Sequence, residues 1–253
     1  MGIFNYYPTD ITDHNKELDM KIFKHSFYFA AFFILLFWLV KVIEGLFGFD
    51  FYRAGIFPRH MNGLPGIITS PFIHGSFSHL ISNTVPFFIL LFTLVYFYRS
   101  LSYRIFFLIF VLSGLCVWLL GRESWHIGAS GIVYGMAAFH FTSGIIRNDL
   151  RLLIIAAIVV FLYGGMIWGI FPLKPEISWE SHLWGGVSGV VLAFWFRKYV
   201  IRRKKFDWEE EPEPEDETET TDMTPPPTFG NPTLGIFDRD NSFTNEDSGM
   251  KNP

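Results

Sequence analysis

The chain of 253 residues is 50% apolar and 19% aromatic, and only 17% of its residues are charged. This composition excludes a disordered protein and disfavours an ordinary soluble domain, in which about 25% of residues carry a charge. Residues 1–206 hold 18 Lys and Arg against 10 Asp and Glu, whereas residues 207–253 hold 2 against 14, so their net charges are +8 and -12. A single cysteine, Cys116, excludes an internal disulfide and a cysteine-built metal cage.

Six apolar stretches come close to the ~20 residues that a helix needs to cross about 30 Å of hydrocarbon. They run over residues 26–47, 79–98, 105–120, 130–146, 152–171 and 181–196. The first is too long for a secretory signal, and no cleavage site follows it. If the N-terminus is inside, the inner segments hold 13 Lys and Arg and the outer loops only four. Because basic residues in short loops stay in the cytoplasm, we predict that both termini are cytoplasmic.

The sequence predicts three regions. Residues 1–25 form a cytoplasmic N-terminal segment, residues 26–200 a membrane domain of six spans, and residues 201–253 a disordered cytoplasmic tail that is first basic and then acidic and Pro-containing. Residues 48–77 form a long external loop with too many Gly and Pro for another span. We expect this loop to be partly embedded in the membrane, with its backbone groups satisfied by protein contacts.

Three polar clusters open the second, fourth and sixth spans, and each would begin at the outer face. Their sequences are HGSFSHLISN (74–83), GASGIVYG (128–135) and SHLWGGVSG (181–189). Asn83, Ser130 and His182 precede the basic residue at the inner end of their own span by 16, 17 and 15 residues. At about 1.5 Å per residue, all three lie roughly 23 to 26 Å above the inner boundary. The clusters can therefore meet at one level, just below the outer surface.

Residue types and spacings within the clusters indicate acyl-transfer chemistry. Gly131 with Gly135 and Gly185 with Gly189 are small-xxx-small pairs, which allow membrane helices to approach closely. Such contact would bring the Ser130 hydroxyl to the His182 imidazole, as nucleophile and base. Asn83, His79 and backbone N–H groups at the start of the fourth span could donate to the oxyanion. Glu180 lies on another face of its helix than His182, so we predict a dyad and not a triad.

The constellation resembles the rhomboid family of intramembrane serine proteases. The resemblance covers roughly residues 26–200 and rests on three motifs, which are GxSG (Gly128, Ser130, Gly131), HxxGxxxG (His182, Gly185, Gly189) and the pattern of His74, His79 and Asn83. It implies an all-α bundle of six transmembrane helices with a water-filled site that opens outward. The implied reaction is hydrolysis of a peptide bond in or near a substrate's transmembrane segment, without metal or cofactor.

The same resemblance implies a role for each matching residue. Ser130 would be the nucleophile and His182 the general base, with Tyr134 packed against the His182 ring. His79, Asn83 and the Ser130 N–H would line the oxyanion hole. The fifth span, with Gly164 and Gly165, would be the gate for substrate. His74, Gly128, Gly131, Gly185 and Gly189 would support the site, and His126 and His140 receive no role.

Two departures from the family pattern concern the surroundings of the site. Many members carry Trp-Arg in the external loop, where this chain reads LPGIITS over residues 64–70. Ser181 stands before the histidine in place of the usual alanine, which is a change of one small residue for another. Anchoring of the loop can therefore differ, whereas the dyad is unchanged.

Other interpretations stay open on the sequence alone. Gly-Ala-Ser-Gly can be only a packing interface, and His74, His79 and His182 can be buried structural histidines or zinc ligands. A catalytically silent rhomboid-like protein that binds client helices is the main alternative, and a transporter with a His79 and His182 proton relay is another. We expect transmembrane proteins and the lipid bilayer as partners, no nucleic acid, and a multi-pass location in a bacterial cytoplasmic membrane. The oligomeric state is left open.

Overall fold

The computed structural model describes residues 16–162, 169–172 and 178–199. The expected gate residues Gly164 and Gly165 and the tail 201–253 lie outside these ranges. The described part is helical, and its one extended pairing is an isolated antiparallel bridge between Ile56 and His126.

Each of the six apolar stretches overlaps a helix, and residues 163–168 of the fifth stretch lie outside the described ranges. The α-helices of the described residues are α1 (Lys16–Phe47), α2 (Gly66–Thr69), α3 (Phe77–Tyr98), α4 (Ser100–Leu120), α5 (Ser130–Arg147), α6 (Leu150–Leu162) and α7 (Trp179–Trp195). Helix α1 is already helical at Lys16, the first described residue, well before the apolar stretch at residue 26. Its polar first turns form an ion pair between Lys21 and Glu17, 2.8 Å long and one turn apart, which favours helix beyond the hydrocarbon.

Among the described residues, three helical segments are long and apolar enough to cross a membrane: Glu17–Phe47, Phe77–Tyr98 and Leu101–Leu120. Leu150–Phe161 is apolar but shorter. Helices α5 and α7 carry the Ser, Gly and His residues of two polar clusters, and these residues lower the mean hydropathy of both helices. Of the helices that carry candidate site residues, α5 and α7 are thus less typical of a membrane span in composition, whereas α3 is one of the three candidates.

Phenylalanine side chains hold α1, α3 and α4 together. The rings of Phe37 and Phe87 lie 4.8 Å apart, and those of Phe33 and Phe106 lie 5.0 Å apart, all edge to face or nearly so. Phe37, Phe87 and Phe106 are fully buried. Edge-to-face packing is a favoured geometry for aromatic pairs, so this cluster gives α3 a fixed base.

Helix α7 packs most extensively against α5, and glycines make this contact close. A Cβ at Gly185 would overlap the Gly131 carbonyl oxygen, and a Cβ at Gly189 would overlap the Gly135 carbonyl oxygen. Both pairs advance by four residues in the same sense, so α5 and α7 run parallel. Their first turns, which hold Ser130 and His182, therefore lie at the same end of the bundle.

The segment between α1 and α3 packs against the protein as a series of short turns. These are the 3-10 turns Tyr52–Ala54, Met61–Gly63 and Ser70–Phe72, together with α2. Thr69 Oγ1 donates to the Ala54 carbonyl over 2.5 Å, and Trp118 Nε1 donates to the His60 carbonyl over 3.0 Å. Protein groups thus satisfy the backbone carbonyls of Ala54 and His60 within the segment.

Candidate active site

The first residue of α5 and the first turn of α7 form the centre of the site. His182 Nε2 lies 2.8 Å from Ser130 Oγ. His182 is only 8% exposed, and Ser130 is partly exposed. A buried imidazole in hydrogen-bond contact with a hydroxyl can accept its proton during nucleophilic attack.

The second ring nitrogen of His182 determines which tautomer is present. Nδ1 lies 2.8 Å from the backbone carbonyl oxygen of Gly169. A carbonyl only accepts, so Nδ1 carries the proton and Nε2 is left to accept from Ser130. The Gly169 carbonyl thus takes the place that a carboxylate has in a triad.

The Tyr134 ring packs flat against the His182 imidazole and fixes its orientation. Tyr134 and His182 stack with ring centroids 4.2 Å apart and an interplanar angle of 5°. Tyr134 lies one helical turn after Ser130 on α5, so a single helix supplies the hydroxyl and the support for its base.

Gly169 was not identified from the sequence as a site residue. A Cβ at this position would lie 2.8 Å from His182 Nδ1 and would overlap the Tyr134 hydroxyl. Only glycine therefore fits at position 169, because a side chain there would clash with the Tyr134 hydroxyl and the His182 ring. The sequence offers no signal beyond a glycine in an apolar stretch, because the functional atom is a backbone oxygen.

Gly128 shapes the entry into α5. Its φ of 105° lies in the region that favours glycine, and its N–H donates to the Ser70 carbonyl over 2.9 Å. A Cβ here would also lie 2.7 Å from the His79 ring. The bend therefore places the His79 imidazole beside the start of α5, two residues before Ser130.

The start of α3 carries the candidate oxyanion donors. Ser76 caps the helix by accepting from the His79 N–H over 3.1 Å. Asn83 is buried, and its Nδ2 donates to the His79 carbonyl over 2.9 Å. One amide hydrogen of Asn83 is thus held by its own helix, and an amide nitrogen has two.

His74 packs behind His79, with ring centroids 5.1 Å apart, and against Phe37 at 5.5 Å. It is 1% exposed, and this burial lowers the pKa of His74 to about 3. The ring is therefore neutral at physiological pH and acts as a packing support for His79.

Glu180, the carboxylate nearest to His182 in sequence, faces elsewhere. Its Oε1 lies 3.2 Å from Arg122 Nε, and the residue is 2% exposed. Because Gly169 accepts from His182 Nδ1, the base is oriented without this carboxylate. Within the described ranges, no three His, Cys, Asp or Glu side chains converge in a way that could hold a metal ion.

A small cleft adjoins Gly128 and Gly131, which flank the candidate nucleophile. Three hydroxyl-bearing residues, Ser70, Ser113 and Ser181, line it together with apolar side chains. Polar groups of this kind can hold water near a reacting centre.

Comparisons with known proteins agree with the motifs. A family model described as the Rhomboid domain matches residues 62–199. The uncharacterized protein Rv1337 of Mycobacterium tuberculosis is 34% identical over 171 residues, which cover 64% of this chain and 71% of that protein. The uncharacterized protein ML1171 of Mycobacterium leprae is 31% identical over 172 residues, which cover 64% of this chain and 68% of that protein.

Proposed function

Because the chain belongs to the rhomboid family, we propose that it is an intramembrane serine endopeptidase that hydrolyses a peptide bond in or near a transmembrane segment of another membrane protein. The observation that carries this proposal is the 2.8 Å contact between His182 Nε2 and Ser130 Oγ. A catalytically silent relative needs no hydroxyl held against an oriented base. Both groups are present here, at the ends of two helices in close contact.

The reaction would proceed in two acyl-transfer steps. The Ser130 hydroxyl attacks the scissile carbonyl while His182 Nε2 takes its proton and then passes it to the leaving amine. Water, activated by the same nitrogen, hydrolyses the acyl-enzyme and releases Ser130. Tyr134 and Gly169 keep the imidazole in place through both steps.

The negative charge that develops on the carbonyl oxygen requires donors. The Ser130 N–H lies in the first turn of α5, where backbone N–H groups have no partner within the helix. We assign this N–H, the His79 ring and the Asn83 amide to the oxyanion hole. Removal of one such donor typically costs about 100-fold or more in kcat.

The membrane arrangement completes the proposal. The protein is an integral membrane protein, and we propose that residues 26–200 cross the bilayer six times, with both termini in the cytoplasm of a bacterium. The site then lies several Å below the outer lipid boundary. Substrate would enter from the side, past the fifth span, and residues 201–253 would form a solvated cytoplasmic tail.

Labelling of the purified full-length protein by a serine-directed fluorophosphonate tests the assignment. We expect wild-type protein to be labelled and Ser130→Ala to be unlabelled but folded. Ser188→Ala is the matched control, since the Ser188 hydroxyl donates within α7 to the Trp184 carbonyl over 2.7 Å. Equal labelling of wild type and Ser130→Ala would refute the assignment.

Incubation with a panel of transmembrane peptides, followed by mass spectrometry, separates the two functional classes. Cut products that disappear in Ser130→Ala support the protease. Binding of peptides by the wild-type protein without any cut product, in detergent and in bilayers alike, would favour the silent client-binding protein instead.

A further inference from the structure

A second polar network joins the loop before α5 to the start of α7. His126 Nδ1 lies 2.5 Å from Ser178 Oγ, and Ser178 Oγ lies 2.6 Å from Ser181 Oγ. The other ring nitrogen of His126 lies 3.1 Å from the Arg122 carbonyl oxygen. His126 is 2% exposed, so these bonds form in the protein interior.

The direction of each hydrogen bond follows from the Arg122 carbonyl, which can only accept. His126 Nε2 therefore carries the proton, and its Nδ1 accepts from the Ser178 hydroxyl. Ser178 Oγ in turn accepts from Ser181. Burial lowers the pKa of His126, which favours the neutral ring that this chain of bonds requires.

Ser178 uses its hydroxyl in an unusual way for its position. It is the N-cap residue of α7, where a serine oxygen commonly accepts from a backbone N–H of the first turn, but its side chain makes no capping bond. The hydroxyl is directed across to His126 instead. Its contact therefore links two elements and does not serve the start of α7.

The contact between His126 and Ser178 is offset by the same number of residues on both segments from the contact between Ser130 and His182. His126 lies four residues before Ser130, and Ser178 lies four residues before His182. The backbone of His126 is fixed by reciprocal bonds with Ile56, 2.8 and 2.9 Å long. The contact thus ties the chain entering α7 to an anchored point four residues before the nucleophile.

An ion pair makes a second link across the same interface. Arg122 Nε and Glu180 Oε1 lie 3.2 Å apart, and the Glu180 side chain is almost fully buried. The Arg122 side chain is 39% exposed, so only the carboxylate is buried, and its desolvation offsets part of the attraction. A role in fixing the register of two segments accounts better for a charged side chain at this position.

We propose that His126 and Ser178, assisted by the Arg122 and Glu180 ion pair, are positioning residues that set the distance between Ser130 Oγ and His182 Nε2. This inference rests on the proposed function. None of the four residues has to touch the substrate, since each acts through the placement of α5 and α7. Small displacements of reacting groups have large kinetic effects, about 100-fold for a shift near 1 Å.

The test measures two quantities in one experiment on the full-length protein. Progress curves of fluorophosphonate labelling give a rate constant for each active molecule and a plateau, which is the active fraction. We expect Ser178→Ala to lower the rate constant about tenfold or more while the plateau stays at the wild-type level. Ser178→Thr, which keeps the hydroxyl, should restore the rate constant. His126→Phe keeps an aromatic ring but has no ring nitrogen to accept from Ser178, so its rate constant should resemble that of Ser178→Ala.

Controls distinguish this proposal from a merely structural role. Ser188→Ala in α7 should label at the wild-type rate. On a peptide that the wild-type protein cuts, Ser178→Ala should lower kcat and leave KM unchanged. A lower plateau with an unchanged rate constant would overturn the positioning role and leave the protease assignment intact. Failure of the wild-type protein itself to be labelled would overturn both.

Discussion

The Tyr134 ring lies parallel to the His182 imidazole at a centroid distance of 4.2 Å. Because Tyr134 and Ser130 share one face of α5, any rotation of this helix moves the candidate nucleophile and the support of its base together. The geometry of the pair is thus less sensitive to helix motion than two independently held side chains would be.

Substitutions of Tyr134 should separate the effect of its ring from that of its hydroxyl. We expect Tyr134→Leu to lower the fluorophosphonate labelling rate constant about tenfold, because an aromatic pair contributes roughly 0.5 to 1.5 kcal/mol beyond burial. Tyr134→Phe keeps the stacked ring and should retain most of the rate. Equal losses in both variants would contradict a role for the ring face.

Gly169→Ala tests whether the Gly169 carbonyl, which accepts from His182 Nδ1, helps to hold the imidazole in place. The added methyl group would lie 2.8 Å from His182 Nδ1, so the ring must shift and its bond to the carbonyl weakens. We expect kcat on a cleaved peptide to fall about 100-fold, which is the order of a displacement near 1 Å. Gly186→Ala is the matched control, because a Cβ at Gly186 meets no atom within 4 Å. If Gly169→Ala has the same kcat as the wild-type protein, this role of the Gly169 carbonyl is excluded.

Periodicity and spacing predict much of this arrangement. The apolar stretches overlap helices of the described residues, and the count from polar cluster to basic residue predicts one depth for Ser130 and His182, which lie within hydrogen-bond distance of each other. These features are predictable because a helix has a fixed rise and a hydrocarbon core has a fixed thickness.

Residues that belong to no motif or predicted span, or whose functional atom belongs to the backbone, escape such reasoning. Gly169 contributes a carbonyl oxygen, which every residue has. His126 and Ser178 are 52 positions apart, as Ser130 and His182 are, but neither belongs to a motif or to a predicted span. The helical residues of α1 before residue 26 were likewise not predicted, since hydropathy marks the hydrocarbon and not the full extent of a helix.

Glycine at position 189 should be essential for close contact of α5 and α7. A methyl group there would overlap the Gly135 carbonyl oxygen, so the two helices must separate. We expect Gly189→Ala to lower the free energy of unfolding in detergent by about 1 to 3 kcal/mol, the usual cost of overpacking. Gly186→Ala, three residues earlier on α7, should not destabilise the protein. Similar unfolding curves for both variants would contradict the close-contact model.

The end of the same helix pair that lies opposite Ser130 depends on Arg147. Its Nη2 donates to the Phe196 carbonyl over 2.7 Å, its Nη1 donates to the Tyr199 carbonyl, and its Nε donates to Ser143 Oγ over 3.0 Å. One planar guanidinium thus joins the last turn of α5 to the chain that follows α7. A lysine has a single nitrogen and cannot reproduce this fork.

We therefore expect Arg147→Lys to reduce the free energy of unfolding by about 1.5 to 3 kcal/mol, the range for hydrogen bonds to a charged group. The labelling rate constant should stay within about twofold of wild type, because 17 residues of helix, or roughly 25 Å, separate Arg147 from Ser130. Arg104→Lys, at an exposed position of α4, is the control and should change neither quantity. A lower rate constant with unchanged stability would mean that the two ends of α5 are coupled, contrary to a purely local role for Arg147.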